Sequence, residues 1–232
     1  MQETDLKKFE NKINVHFNDK SLLLRAFTHR SYLNEHPKKN IKNNERLEFL
    51  GDAVLELAVT DHLFLTYPDR PEGELTAIRA ALVNTLSISA AANELGAEVF
   101  LRLSKGEAKD TGRGRRFILA NTYEAIIGAI YIDQGYGLAA KFIENTLLHN
   151  VNDIVENERW RDAKSVFQEQ AQKHASVTPT YEIIDENGPD HDKVFTVGVF
   201  LDNQQIATGT GKSKQEAESV AAEVALEEKG WE

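Results

Sequence analysis

Through the first two-thirds of the chain, apolar residues recur every three or four positions, the period of helices that bury one face. Leu22, Leu23, Leu24 and Phe27 make a short run of this kind, which Asp19 or Ser21 is placed to cap. From about Asn44 to Tyr67 the positions Leu47, Leu50, Val54, Leu57, Ala58 and Leu65 repeat, and Pro68 ends the run. Another helix is predicted from Glu72-Gly73-Glu74 onward, carrying Leu75, Ile78, Leu82 and Val83. Ser87 to Leu95 reads as a further one, closed by Gly96.

The pattern then breaks. Ser104 to Arg116, rich in Gly, Lys and Arg, reads as a mobile basic loop. Phe117 to Ile132 is apolar except for Asn121, Thr122 and Glu124, and a last helix is expected from about Leu138 to Glu156. Beyond a polar stretch, Asn157 to Asp162, the period changes. Ala163 to His174 is helical, with Val166, Phe167 and Ala171 as its stripe. Thr180 to Ile184, Val194 to Leu201 and Gln205 to Gly209 read as strands, separated by Glu186-Asn187-Gly188-Pro189-Asp190 and by Asp202-Asn203. Ser213 to Lys229 closes the chain as a helix with Ala217, Val220, Ala221, Val224, Ala225 and Leu226 inward. The expectation is a multidomain protein: an all-α domain over 1–156, a linker over 157–161, and a small α+β domain of order α-β-β-β-α over 162–232.

Composition narrows the chemistry. At 232 residues, two domains can each bury a core. Cysteine is absent, which excludes disulfides and thiolate metal sites, and the seven histidines show no zinc-type spacing. A metal here is therefore a hard ion held by oxygen. Met1 to Asp5 is acidic and leads into no apolar run, and no stretch is long and apolar enough to span a bilayer. A cytoplasmic protein without a membrane partner is expected.

Glu45, Glu48 and Asp52 follow i, i+3, i+7 spacing, which lines them along one helix face. Like charges so placed need solvent, a cation or a cationic partner, and a solvated face is the ordinary explanation. Glu124 resists that explanation. Its neighbours Ile118, Leu119, Ala120, Ala125, Ile126, Ile127, Ala129 and Ile130 make its helix apolar nearly all round, and an unpaired buried carboxylate costs several kcal/mol. A divalent cation shared with Glu48 and Asp52 would offset that cost. Gly51, costing roughly 1 kcal/mol in a helix interior, would let a second helix approach Asp52. Such a site suits Mg²⁺ and phosphodiester hydrolysis.

The segment Asn44-Glu45-Arg46-Leu47-Glu48-Phe49-Leu50-Gly51-Asp52-Ala53-Val54-Leu55 resembles the signature of ribonuclease III, the double-stranded-RNA endonuclease. Phe27-Thr28-His29-Arg30-Ser31-Tyr32, Pro71-Glu72-Gly73-Glu74-Leu75-Thr76 and Ile118-Leu119-Ala120-Asn121-Thr122-Tyr123-Glu124-Ala125 are similar to further segments of that family. Gly209-Thr210-Gly211-Lys212-Ser213-Lys214, with Ala217, Ala221 and Ala222, resembles a double-stranded-RNA-binding domain. The resemblance implies a homodimer that cuts both strands of duplex RNA, leaving 5′-phosphates and short 3′ overhangs, in rRNA and mRNA processing. It implies Mg²⁺ (with Mn²⁺ able to substitute) on Glu48, Asp52, Asn121 and Glu124, with Asp52 and Glu124 catalytic. Glu45 and Glu72 are implied to line the cleavage valley, and Phe49 to plug into the partner subunit, where plain core packing is the alternative. Asn121 departs from the family's usual aspartate and removes one negative charge, which predicts weaker Mg²⁺ binding.

Net charge is −10, and residues 160–232 hold 7 Lys+Arg against 14 Asp+Glu. Steering of RNA by overall charge is thereby excluded, so affinity must come from local patches. Lys212 and Lys214 flank a helix N-terminus suited to phosphate. By the same resemblance Ser165, Gln168, Glu169 and His191 face minor grooves of an A-form duplex; alone, Gln168 and His191 read as ordinary exposed polarity. Arg113, Arg115 and Arg116 are candidates for phosphate contact or for a solvated loop. A catalytically silent duplex-RNA-binding protein is the alternative function: Asn121 and the acidic second domain favour it, and the retained Glu45, Glu48, Asp52, Glu72 and Glu124 oppose it.

Overall fold

Leu6, Phe9 and Ile13 lie on one side of the first helix, α1 (Glu3–Ile13), and are buried there. Phe9 meets Phe27 edge-on at 4.9 Å and Phe100 at 5.2 Å, an aromatic seed for the N-terminal core. The computed structural model describes residues 3–37, 41–158, 160–189 and 193–231; His191 lies outside them. These residues divide into two compact units, Met1–Asn157 and Glu158–Glu232.

In the first unit, α2 (Lys20–Ala26) is capped by Asp19, which accepts the Ser21 N–H at 2.9 Å. After α3 (Arg30–Glu35), the buried Asn44 leads into α4 (Glu45–Thr66) and donates from Nδ2 to the Ala26 carbonyl at 3.2 Å. Helices α5 (Glu72–Leu82) and α6 (Thr85–Glu94) follow, the latter capped by Asn84. The central element is α7 (Arg113–Gln134), packed mainly on α4 and α6 and buried along Ile118 to Ile130 except where Asn121 and Glu124 reach partial exposure. Among the described residues no single helix is long and apolar enough to cross a membrane.

Three expectations need correction. The helix expected over Leu138 to Glu156 is broken into α8 (Tyr136–Thr146), a 3-10 turn (Leu148–Asn150) and α9 (Val151–Glu156). The break lets Ala139, Phe142 and Ile143 before it and Leu148, Val151 and Val155 after it all be buried, a spread of positions wider than one face of a straight helix. Leu57 and Leu65, expected in the core, are 57% and 69% exposed. The stretch expected to be a mobile loop carries the 3-10 turn Glu107–Lys109, is tied by hydrogen bonds on both sides, and enters α7 already at Arg113.

The second unit has the expected order. Helix α10 (Ala163–Ala175) precedes β1 (Thr180–Asn187), β2 (Val194–Leu201) and β3 (Gln204–Gly211), and α11 (Lys214–Lys229) ends it. The strands pair antiparallel in the order β1-β2-β3, with register shifts between Ile183 and Asp185 and between Val199 and Phe200. Phe167, Val199, Ala207, Ala221, Ala222 and Ala225 form its core. Gly209 sets the spacing: a Cβ there would lie 2.2 Å from the Ala221 nitrogen, so α11 rests directly on the β3 backbone.

Candidate active site

Two glycines decide where the acidic residues meet. A Cβ on Gly51 of α4 would sit 1.7 Å from the Glu124 carbonyl oxygen, and one on Gly128 of α7 would sit 2.2 Å from that of Leu47. The two backbones touch at this crossing, as the position of Gly51 in the sequence leads one to expect. The contact brings Glu48 and Asp52 of α4 beside Asn121 and Glu124 of α7.

The electrostatics record that proximity. Burial lifts the Glu124 carboxyl to about 8, and the charges of Asp52 and then Glu48 push the same way. Burial also raises Glu48, with Glu45 and Asp52 adding to the rise and a hydrogen bond from Asn121 opposing it. Asn121 thus acts as a donor to Glu48, which an aspartate could do only when protonated. Asp52 is exposed. Among the described residues no three Asp, Glu or His side chains stand as a ready-made ligand group. The oxygen-only donors and their mutual repulsion nevertheless fit a hard divalent ion, which would relieve the strain at Glu124.

Beside this crossing lies a cleft of about 430 Å³ lined by His29, Arg30, Asn44, Glu45, Glu48, Glu107, Gly114, Ile118 and Asn121. Glu45 is held there by Arg30 at 3.6 Å and by Asn43, which donates at 2.9 Å. Glu72 is outside the cleft lining, on the exposed first turn of α5, where it accepts from Thr76 at 3.0 Å. His29 and Glu107 are cleft residues that no periodicity in the sequence marks. Burial lowers the His29 imidazole below its ordinary value, against an opposing pull from Glu107. Its Nδ1 accepts the Ser31 N–H at 3.3 Å.

Phe49, on the same helix as the carboxylates, is 81% exposed, so core packing within this chain does not explain it. Leu57 and Phe64 follow at intervals of eight and seven, extending an exposed apolar stripe down α4. In the second unit Ser165, Gln168 and Glu169 are exposed on α10, and Asp162 caps that helix through Ser165 N–H at 3.2 Å. Lys212 and Lys214 flank the α11 N-terminus, where Ser213 Oγ accepts the Glu216 N–H at 3.2 Å and Glu216 accepts the Lys212 N–H at 2.7 Å. Lys214 lies 4.0 Å from Glu186. The corner that would hold a phosphate is therefore ringed by the protein's own carboxylates.

Comparison with known proteins gives two family matches: Ribonuclease-III-like over residues 19–151 and Double-stranded RNA binding motif over residues 163–229. A protein of Carboxydothermus hydrogenoformans named Ribonuclease 3 is 45% identical over 98% of this chain and 97% of its own length. One of the same name from Bacillus cereus is 46% identical over 95% of this chain and 89% of its own. A solved nuclease domain of ribonuclease III from Campylobacter jejuni, 41% identical, covers 61% of this chain and 97% of its own length, with a TM-score of 0.55.

Proposed function

Since the chain belongs to the ribonuclease III family and is an endoribonuclease joined to a double-stranded RNA binding motif, we propose that it hydrolyses duplex RNA with Mg²⁺ at the α4–α7 crossing. The observation that supports this reading is the Gly51–Glu124 backbone contact, which brings the helix segments carrying Glu48 and Asp52 and those carrying Asn121 and Glu124 together.

Glu48, Asp52, Asn121 and Glu124 are the residues that hold the ion, with Asp52 and Glu124 the most needed for catalysis; Mn²⁺ is an acceptable substitute. When bound, Mg²⁺ supplies a Lewis acid that stabilises charge on the phosphodiester oxygens and lowers the pKa of an attacking water. Glu124, whose carboxyl burial and the neighbouring Asp52 and Glu48 push up to about 8, would hold the ion as a carboxylate. Asn121 orients Glu48 by its hydrogen bond. Glu45, fixed by Arg30, and Glu72 are proposed to line the path of the RNA, and Glu107 joins them.

The domains are proposed to run over 1–156 for the nuclease and 162–232 for RNA binding, with 157–161 as linker. The exposed α10 residues Ser165, Gln168 and Glu169, with Lys212, Lys214 and His191, recognise an A-form duplex by shape and 2′-hydroxyls. The Campylobacter nuclease domain is described with a region involved in dimer formation. The exposed Phe49 supports the same assembly here, each subunit cutting one strand to leave a 5′-phosphate and a short 3′ overhang, in cytoplasmic rRNA and mRNA processing.

The test is incubation of the purified protein with a long RNA duplex, with and without Mg²⁺. Metal-dependent cutting that Glu124→Ala abolishes is the expected outcome. Duplex binding without cutting at any Mg²⁺ concentration would instead leave a silent RNA-binding protein.

A further inference from the structure

Among the described residues, Glu10 and Arg115 are the charged side chains buried from solvent. Glu10 is accounted for by Lys20 at 3.4 Å and the Phe17 N–H at 2.8 Å. Arg115, 8% exposed at the start of α7, is not placed to touch RNA, although its position in a Gly- and Arg-rich stretch invites that reading. Its Nε donates to the Asp110 carbonyl at 3.0 Å, and its Nη2 to those of Glu107 at 2.9 Å and Ala108 at 3.1 Å. Glu98 stands 3.7 Å from the same Nε.

The three carbonyls belong to the 3-10 turn Glu107–Lys109 and its C-cap Asp110, and Glu107 lines the same cleft as Glu45, Glu48 and Asn121. The Glu107 carbonyl accepts the Asp110 N–H at 3.3 Å within the turn, and a planar guanidinium can serve several carbonyls at once. The other side of the turn is tied as well. Ser104 N–H donates to Ser31 Oγ at 3.0 Å, Lys105 N–H to Glu35 at 3.0 Å, and Glu107 N–H to Ser104 Oγ at 3.2 Å. Glu107 is therefore fixed at both its N–H and its carbonyl.

We propose that Arg115 is a positioning residue for RNA cleavage: it acts through Glu107, by locking the turn that presents this carboxylate to the cleft. The inference rests on the nuclease reading above. Arg115→Lys keeps the charge but has a single nitrogen, which cannot span three carbonyls.

The test is a kinetic cycle on the full chain with long duplex RNA: wild type, Arg115→Lys, Glu107→Gln and the double variant, with Ser104→Ala releasing the turn from its other side. Each single change is expected to lower kcat on the order of 10-fold or more, as misplacement of a site group does, with KM and metal-free duplex affinity unchanged within about two-fold for Arg115→Lys and Ser104→Ala. In the Glu107→Gln background, Arg115→Lys and Ser104→Ala should cost nothing further. Losses that multiply, a raised KM with kcat intact, or no effect of Glu107→Gln would each overturn the proposal. Should Arg115→Lys lower the melting temperature too far for assay, the Ser104→Ala arm decides the same question. A wild-type protein that fails to cut duplex RNA would refute the nuclease reading itself, a result distinct from any of these.

Discussion

Glu124 concentrates the unfavourable electrostatics of the first unit in one side chain. Its folded carboxyl titrates at about 8 against an ordinary value of 4.5, so folding takes up a proton between those limits. A raised carboxyl pKa makes stability fall as pH climbs from about 4.5 to about 8, the sign opposite to a salt-bridged carboxylate. In EDTA, Glu124→Gln is therefore expected to stabilise the protein on the order of 3 kcal/mol at pH 9 and hardly at all at pH 4, after allowance for the group's partial exposure. Thermal melts across pH read this directly, and a uniform offset at every pH would contradict it. At Asn121 the neutral amide donates to Glu48 where an aspartate would add charge. Asn121→Asp should lower the Mg²⁺ concentration for half-maximal cleavage by roughly 3- to 10-fold; equal half-saturation in a Mg²⁺ titration would count against the assignment. Glu124 stands out in the sequence because a carboxylate in an apolar helix is an anomaly, whereas Asn121 is singled out by the family resemblance alone. Glu107 does not stand out, since it is an unremarkable polar residue in a short turn until the fold closes a cleft around it, and His29 stands only within a segment similar to the family.

At the scale of elements, the α4–α7 crossing has no room for a methyl group. Gly51→Ala would place its Cβ inside the Glu124 carbonyl, so the helices must separate at the point that carries the ligands. A loss of about 2–4 kcal/mol in a denaturant melt is expected, along with most of the cleavage activity. In the second unit, Glu216 occupies the Lys212 N–H that an RNA phosphate would use. Glu216→Gln should tighten duplex binding by roughly 3- to 10-fold at low salt, the gain shrinking as salt rises, as measured by fluorescence anisotropy. Unchanged affinity would mean that phosphate does not enter that corner. Periodicity located most of these elements, and its failures have particular causes. Helix α1 shows its buried residues Leu6, Phe9 and Ile13 at helical spacing, but the acidic start of the chain hid it. Leu57 and Leu65 fit the helical period yet face outward, because periodicity finds an apolar stripe without saying whether this chain or another covers it.

For the whole molecule, that outward stripe and the acid balance set the terms of association. A side chain as exposed as Phe49 adds little to the stability of the chain that carries it. Phe49→Glu should leave the melting temperature of the isolated subunit nearly unchanged while converting a dimer to a monomer in light scattering; a dimer that persists would place the interface elsewhere. With a net charge of −10, RNA is gripped only through local contacts, and affinity should depend on few released counterions. The most direct measurement of the central claim is the anomalous signal of Mn²⁺ in crystals grown at saturating metal. The account predicts a peak at the Gly51–Gly128 crossing, about 2.0–2.3 Å from oxygens of Glu48, Asp52 and Glu124. A peak bound elsewhere, or none at the crossing, would contradict it.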